Sequence, residues 1–317
     1  MAGSIGFFVL GLVLLLLGGD SVVKGASGLA QRLGWSPFKA GLLLVAVATS
    51  IPELAVNAYA VAKGQGDLAL GNAIGSNIVN IGLTLGVAAL AAPLLIHMRL
   101  LAAEVVFLLV ATGATFFFSL DHQIARWEGS VLLLGFVGMM VFQFARGRHE
   151  SADVQRELTE FAETRTGLVQ NLIRLVMAAA VLFFGAQLVV VHAPVIGLAL
   201  GFGSMLTGLL VVAIGTALPE VVTAVLAARR GHANVVAGQV IGASLFNLLF
   251  VVGGMAVFKP LSVPVSFTGF ELPAAMAFVL ALYPILAGDL RVSRREGSVL
   301  VVLFLAWLGF ELFLAWR

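Results

Sequence analysis

The sequence has no cysteine, which removes disulfides, thiolate metal ligands and thiol nucleophiles, and leaves the redox compartment open. Charge is scarce too. Only 11% of the residues are charged, where a soluble globular chain carries about a quarter. The five histidines, His97, His122, His149, His192 and His232, show no metal-ligand spacing. Gly201-Phe202-Gly203-Ser204 has no strand before it, so it does not read as a nucleotide-binding loop. What is present is apolar: 61% of the residues are hydrophobic and the mean hydropathy is +1.09. Runs of about 20 apolar residues recur, the length needed to cross a hydrocarbon core. An all-α polytopic membrane protein in contact with a lipid bilayer is expected. The first run, Gly6 to Gly18, has no basic segment before it and more spans after it, so it reads as a span and not a cleaved signal peptide. The pI near 9.3 then marks one membrane face and not a nucleic-acid partner.

Ten spans are expected, near 4–30, 37–62, 68–92, 99–119, 128–146, 169–192, 204–229, 234–257, 265–287 and 297–316. The polar stretch Arg146 to Thr166 alternates in charge sign and reads as a linker or short amphipathic helix between halves. Of the 18 Lys and Arg, only Lys63, Arg126, Lys259 and Arg317 fall on the side of the N-terminus. The positive-inside rule then puts both termini outside a cell (inner) membrane and the central loop in the cytoplasm.

The stretch from Gly41 to Asn80 returns, without a gap, from Gly208 to Asn247. Thr49, Pro52, Glu53, Gly71, Gly75 and Asn80 each recur 167 positions later, as Thr216, Pro219, Glu220, Gly238, Gly242 and Asn247. The matches fall on hydroxyls, glycines, prolines and a carboxylate, which membrane composition alone would scatter. Glu104 likewise recurs as Glu271, and the pentapeptide beginning at Glu128 recurs at Glu296, now offset by 168. The chain is therefore read as a five-helix repeat at 1–146, a cytoplasmic linker at 147–168 and a second five-helix repeat at 169–317. Five is odd, so the second repeat enters the membrane the other way round. Such inverted repeats are the mark of secondary transporters, whose site lies near the midplane between halves.

Glu53 and Glu220 each sit deep in a span, where an ionised carboxylate costs roughly 2.5–3.5 kcal/mol on insertion scales. A cation or proton must compensate two of them. The prolines just before them free backbone carbonyls near Ala46–Ala48 and Ala213–Gly215, tolerated in a membrane only beside a cavity or ligand. Carbonyl, hydroxyl and carboxylate oxygens together suit a hard cation such as sodium or calcium. The glycine pairs four apart allow close helix approach, and Ser76 and Asn80, also four apart, share one helix face. Asp20 and Lys24 are expected to pair locally, and Glu104 and Glu271 to act in packing or at the interface.

These motifs, ATSIPELAV with GNAIGSNIVN and GTALPEVVTA with GQVIGASLFN, resemble the cation/calcium antiporter superfamily, in particular its bacterial and archaeal sodium/calcium exchangers. The resemblance runs over essentially the whole chain. It implies that Glu53 and Glu220 are the principal cation ligands, joined by Thr49, Thr216, Ser50, Ser76 and Asn80 and by the carbonyls of Ala46 and Ala213. The chain departs from that pattern at Ala217 and Ala243, where serines are expected, and at Asn247, often an aspartate. One outer sodium site is expected to be weakened, which leaves stoichiometry and coupling ion open. The resemblance implies antiport of Ca²⁺ against Na⁺ without a cofactor or enzymatic step. A proton-coupled exchanger is the alternative, since burial and mutual repulsion let two carboxyls hold protons. An intramembrane hydrolase using the two glutamates, or a passive channel, would fit the duplication less well. Oligomeric state is open.

Overall fold

The computed structural model describes residues 1–47, 50–98, 100–147, 150–162, 166–289 and 291–316. They are mostly helical: α1 Ala2–Arg32, α2 Pro37–Val47, α3 Ile51–Ala62, α4 Gly66–Ile78, α5 Gly86–Ala91, α6 Leu100–Phe118, α7 Arg126–Arg146 and α8 Ala152–Ala162. There follow α9 Leu168–Ala199, α10 Ser204–Leu206, α11 Ala213–Arg229, α12 Ala233–Leu245, α13 Gly253–Phe258, α14 Leu272–Asp289 and α15 Arg294–Ala315. Helices suit a chain that must satisfy its own backbone in lipid. Among the described residues, eight helices are long and apolar enough to cross a membrane.

These eight are not equivalent. Gly66–Ala91 and Ala233–Phe258 are each 83% buried, whereas Ala2–Arg32 is 28% and Arg294–Ala315 is 22% buried. The outer helices expose Phe7, Leu17, Val176, Leu198 and Val302, an apolar surface that fits lipid and not water. The core helices both change pitch at matched places. Val79–Leu85 joins α4 to α5 as a π-helix, and Phe246–Val252 joins α12 to α13 the same way. π-Helical turns re-aim side chains and gather at functional sites.

Two short ladders tie the halves together. β1 (Leu94–Leu95) pairs with β4 (Arg291–Val292), and β2 (Gln123–Ile124) pairs with β3 (Leu261–Ser262). The repeat offset converts one ladder into the other: Leu94 opposite Val292 becomes Leu261 opposite Ile124. The repeated Glu-Gly step gets a physical meaning here. Glu128 Oε2 accepts the Ala125 amide at 2.7 Å, and Glu296 Oε2 accepts the Ser293 amide at 2.6 Å, so each glutamate closes the start of its helix. The glycine after it meets a neighbour closely. A β-carbon at Gly129 would stand 2.6 Å from the Gly253 carbonyl oxygen, and one at Gly297 would stand 2.8 Å from that of Gly86.

The segment after α7 is more than a tether. α8 packs on α2 and α12, and Gly41 lies so close to the Leu158 backbone that no side chain fits. Glu157 accepts from Asn234 Nδ2 at 2.6 Å and from the Val235 amide at 3.3 Å, at the first turn of α12. Asn234 Oδ1 in turn accepts the amides of His97 and Met98 at 2.8 and 3.0 Å. The helix is thus docked on one face of the bundle.

Candidate cation site

α1 and α9 lie against each other over much of their length, and Gly11 and Gly185 pack backbone to backbone. Inside them, α4 crosses the helix that holds Gly208. Added β-carbons at Gly71 and Gly208 would strike the carbonyl oxygens of Met205 and Leu68. A β-carbon at Gly75 would stand 2.9 Å from Ala213 Cβ. The small residues of each motif therefore press the core helix of one half onto the glutamate-bearing segment of the other.

That crossing gathers the expected ligands. Glu53, in the first turn of α3, is 1% exposed, and neither carboxylate oxygen has a hydrogen-bond partner. Thr216 stands beside it, with its hydroxyl turned to the Val212 and Ala213 carbonyls at 3.1 and 3.3 Å. Ser76 Oγ, Asn80 Oδ1, Thr84 Oγ1 and Asn247 Oδ1 are likewise buried without a partner. Natural structures leave few such atoms, and several on segments that pack against one another ask for a ligand. Every one is an oxygen. The donor set fits a hard cation and does not fit an anion.

Glu220 lies on α11 and is half-buried. It shares a small cavity with Asn80, Thr84, Gln239 and Ala243. It also lines a cleft with Asp20, Pro52, Thr216, Pro219 and Thr223. Ser50 donates to the Ala243 carbonyl oxygen at 3.4 Å, so the first repeat's serine touches the second repeat's core helix. Ala46 belongs to α2 by its backbone, and Thr49 lies outside the described residues. Pro52 falls in the first turn of α3, not within a continuous helix, whereas Pro219 is inside α11. The proline that frees carbonyls mid-helix is therefore Pro219.

Three polar contacts escaped the sequence reading. Asn77 Nδ2 donates to the Ser244 carbonyl at 3.2 Å, and Asn247 Nδ2 donates to Asn77 Oδ1 at 3.4 Å. Asn72 Nδ2 donates to Asn57 Oδ1 at 2.8 Å. Uncharged amides within otherwise apolar spans were the signal for them. Ser244, by contrast, donates to the Val240 carbonyl at 2.8 Å and supplies nothing that Ala243 lacks. Lys24 and Asp20 pair at 2.6 Å as expected, on an exposed face. Among the described residues no group of three or more His, Asp and Glu is disposed to hold a metal. Any cation here must use amide, hydroxyl and carbonyl oxygens beside the two carboxylates.

The family model described as sodium/calcium exchanger protein matches residues 3–145 and 171–313. The chain belongs to the sodium/calcium exchanger family. It is 36% identical over 307 residues to a putative antiporter, CaxA, of Alkalimonas amylolytica, covering 95% of this chain and 96% of that one. The sodium/calcium exchanger MaX1 of Methanosarcina acetivorans is 30% identical over 335 residues, again covering 95% and 96%. The solved sodium-calcium exchanger NCX_Mj, soaked with sodium and strontium, superposes with a TM-score of 0.67 at 28% identity. That match covers 96% of this chain and 98% of the other. As a member of this transporter family the chain is a multi-pass membrane cation antiporter.

Proposed function

We propose that this exchanger moves calcium against sodium by alternating access, with the ions held where the two repeats cross. The observation that carries this reading is Glu53: a buried carboxylate without a hydrogen bond, on a helix packed against the core segments that carry the unpartnered oxygens of Ser76, Asn80 and Asn247. Glu53 and Glu220 supply two negative charges. One Ca²⁺ neutralises them, or Na⁺ ions share them with the hydroxyls of Thr49, Thr216, Ser50 and Ser76, the amides of Asn80 and Asn247, and the carbonyls of Ala46 and Ala213. Both ions compete for the same oxygens, so one leaves as the other enters and no ATP is needed. An unloaded site would carry bare charge through the membrane, which disfavours the crossing of the empty form.

The architecture that goes with this is ten spans in two inverted halves, 1–146 and 169–317, joined by the linker 147–168. The two ladders that exchange under the repeat offset support it, as does the separate match of the family model to each half. The positive-inside distribution favours a cell membrane with both termini outside and α8 in the cytoplasm. Moving parts would be α1 with α9, which pack along each other and lie largely outside the core, against the enclosed α4 and α12.

The test is ⁴⁵Ca²⁺ uptake into sodium-loaded proteoliposomes, with sodium-free and pH-gradient controls, for wild type and Glu53→Gln. Sodium-dependent uptake that the substitution abolishes is the expected result. Uptake driven by a pH gradient alone would replace sodium by protons as the coupling ion, and absence of any calcium flux would refute the reading.

A further inference from the structure

The second repeat contains a pair of buried acids that the ion site does not use. Glu271, at the end of the π-helical turn Phe267–Glu271 before α14, is 8% exposed, and Glu311 on α15 is 3% exposed. Their neighbours in sequence, Phe270 and Phe310, pack with ring centroids 4.6 Å apart, which brings the two backbones together at this level. α14 packs against α15. Glu271 Oε2, Glu311 Oε1 and the Trp307 indole N–H, one turn earlier on α15, are all buried without a hydrogen-bond partner.

The first repeat shows what the place looks like when it is satisfied. Glu104 is the counterpart of Glu271, and Gln143 is the counterpart of Glu311 under the 168-residue offset that also relates Phe142 to Phe310. There Gln143 Nε2 donates to Glu104 Oε1 at 2.7 Å, an amide against a carboxylate. In the second repeat the amide has become a carboxyl. Two carboxylates brought together away from water repel, and the single Trp307 N–H is one donor for their four oxygens, so a proton kept by one carboxyl relieves the rest.

We propose that Glu271 and Glu311 form a proton-sharing carboxyl pair, a proton-binding site separate from the cation cluster. One carboxyl donates its O–H to the other, which restores the geometry that Gln143 gives Glu104. A metal cation fits less well, because the nearby Trp307 N–H is a donor only and cannot ligate one. The elements packed around the pair bring little competing charge. α5 and the π-helical Val79–Leu85 carry none, α4 carries only the exposed Asp67 in its first turn, and β4 carries the exposed Arg291. Glu104 on α6 is engaged by Gln143, and the remaining charges of α15, Arg294, Arg295 and Glu296, are at its opposite end.

The proposal is independent of transport, so the test needs no ion gradient. Infrared difference spectra of the protein in lipid nanodiscs, recorded through a pH titration, report the carbonyl stretch of protonated carboxylic acids. Wild type should show a protonated carboxyl that persists through neutral pH and that Glu311→Gln and Glu271→Gln each remove. If Glu311→Gln does not fold, Glu271→Gln carries the same readout. An unchanged carboxyl band in both variants would overturn the proposal. So would a band that sodium or calcium removes from wild type but not from Glu53→Gln, since the proton would then belong to the central cluster.

Discussion

The two halves carry the same motif in unequal surroundings. Glu53 is enclosed, while Glu220 is half-buried and stands where a cavity and a cleft meet. On the Glu220 side, Thr223 and Gln239 line both that cleft and a further one bounded by Glu157, Arg230 and His232. The two clefts therefore share a border between Glu220 and the face that carries α8. On the Glu53 side, the counterparts of Thr223 and Gln239 are Val56 and Asn72, both fully buried, and Asn72 is tied to Asn57. The difference lies in how the helices are set around matched residues, and it is the inequality that the proposed alternating access would need.

The largest effect should come from removing either charge. Losing one partner of a desolvated charge interaction costs about 2–5 kcal/mol, so Glu53→Gln and Glu220→Gln should each lower exchange about 30- to 1000-fold or more. Flux measurements on the pair would break the comparison if only one mattered. Access should separate them. The chain has no native cysteine, so Thr223→Cys and Val56→Cys give clean single-thiol proteins. In ion-free protein, a membrane-permeant thiol reagent should label Thr223→Cys at least about ten times faster, with the unlabelled Val56→Cys reporting the closed side.

Next in size is the crossing that brings the halves together. Gly75→Val would drive a side chain into the Leu209 backbone and Ala213, and overpacking of this kind costs about 1–3 kcal/mol. Thermal denaturation should show the loss, and Gly138→Val, where nothing stands within 4 Å, should not. The prolines give a finer contrast. Pro219→Ala returns a backbone N–H to the Gly215 carbonyl inside α11, so cation affinity should weaken about 5–10-fold for one hydrogen bond of about 1 kcal/mol. Pro52→Ala, in a first turn whose N–H needs no helical partner, should stay within about two-fold. Equal effects would mean that the prolines act alike despite their different places.

Much of this was legible in the sequence because duplication prints each motif residue twice. Thr-x-x-Pro-Glu at matched positions identifies Glu53 and Glu220, and the glycine spacing identifies the crossing helices. The enclosure of one glutamate and exposure of the other was not legible, since matched residues say nothing about which way the helices are set. The π-helical turns at Val79–Leu85 and Phe246–Val252 were hidden for a different reason. In a wholly apolar core the hydrophobic pattern has no polar face whose drift would reveal a change of pitch. Pro52 misled because a helix start and a mid-helix kink look the same when every flanking residue is apolar. The Glu271–Glu311 pair hides behind the change of offset from 167 to 168, which places Gln143 and Glu311 out of step with Glu104 and Glu271.

The smallest expected effect tests whether chemistry adds to the inequality of the halves. Ser76 has a hydroxyl where its counterpart Ala243 has none, and Ala243 lines the cavity that holds Asn80 and Glu220. Ala243→Ser adds one oxygen to that cavity without adding charge. A single hydroxyl ligand is worth about 0.5–1.5 kcal/mol, so the sodium concentration for half-maximal exchange should fall about 2–10-fold. Calcium affinity should move less, because a divalent ion draws most of its binding from the two carboxylates. The new hydroxyl has a competing choice, the carbonyl of Gln239 one turn back, just as Ser244 takes that of Val240. Unchanged sodium dependence would mean that this choice wins and that the missing serine has no bearing on how the two halves differ.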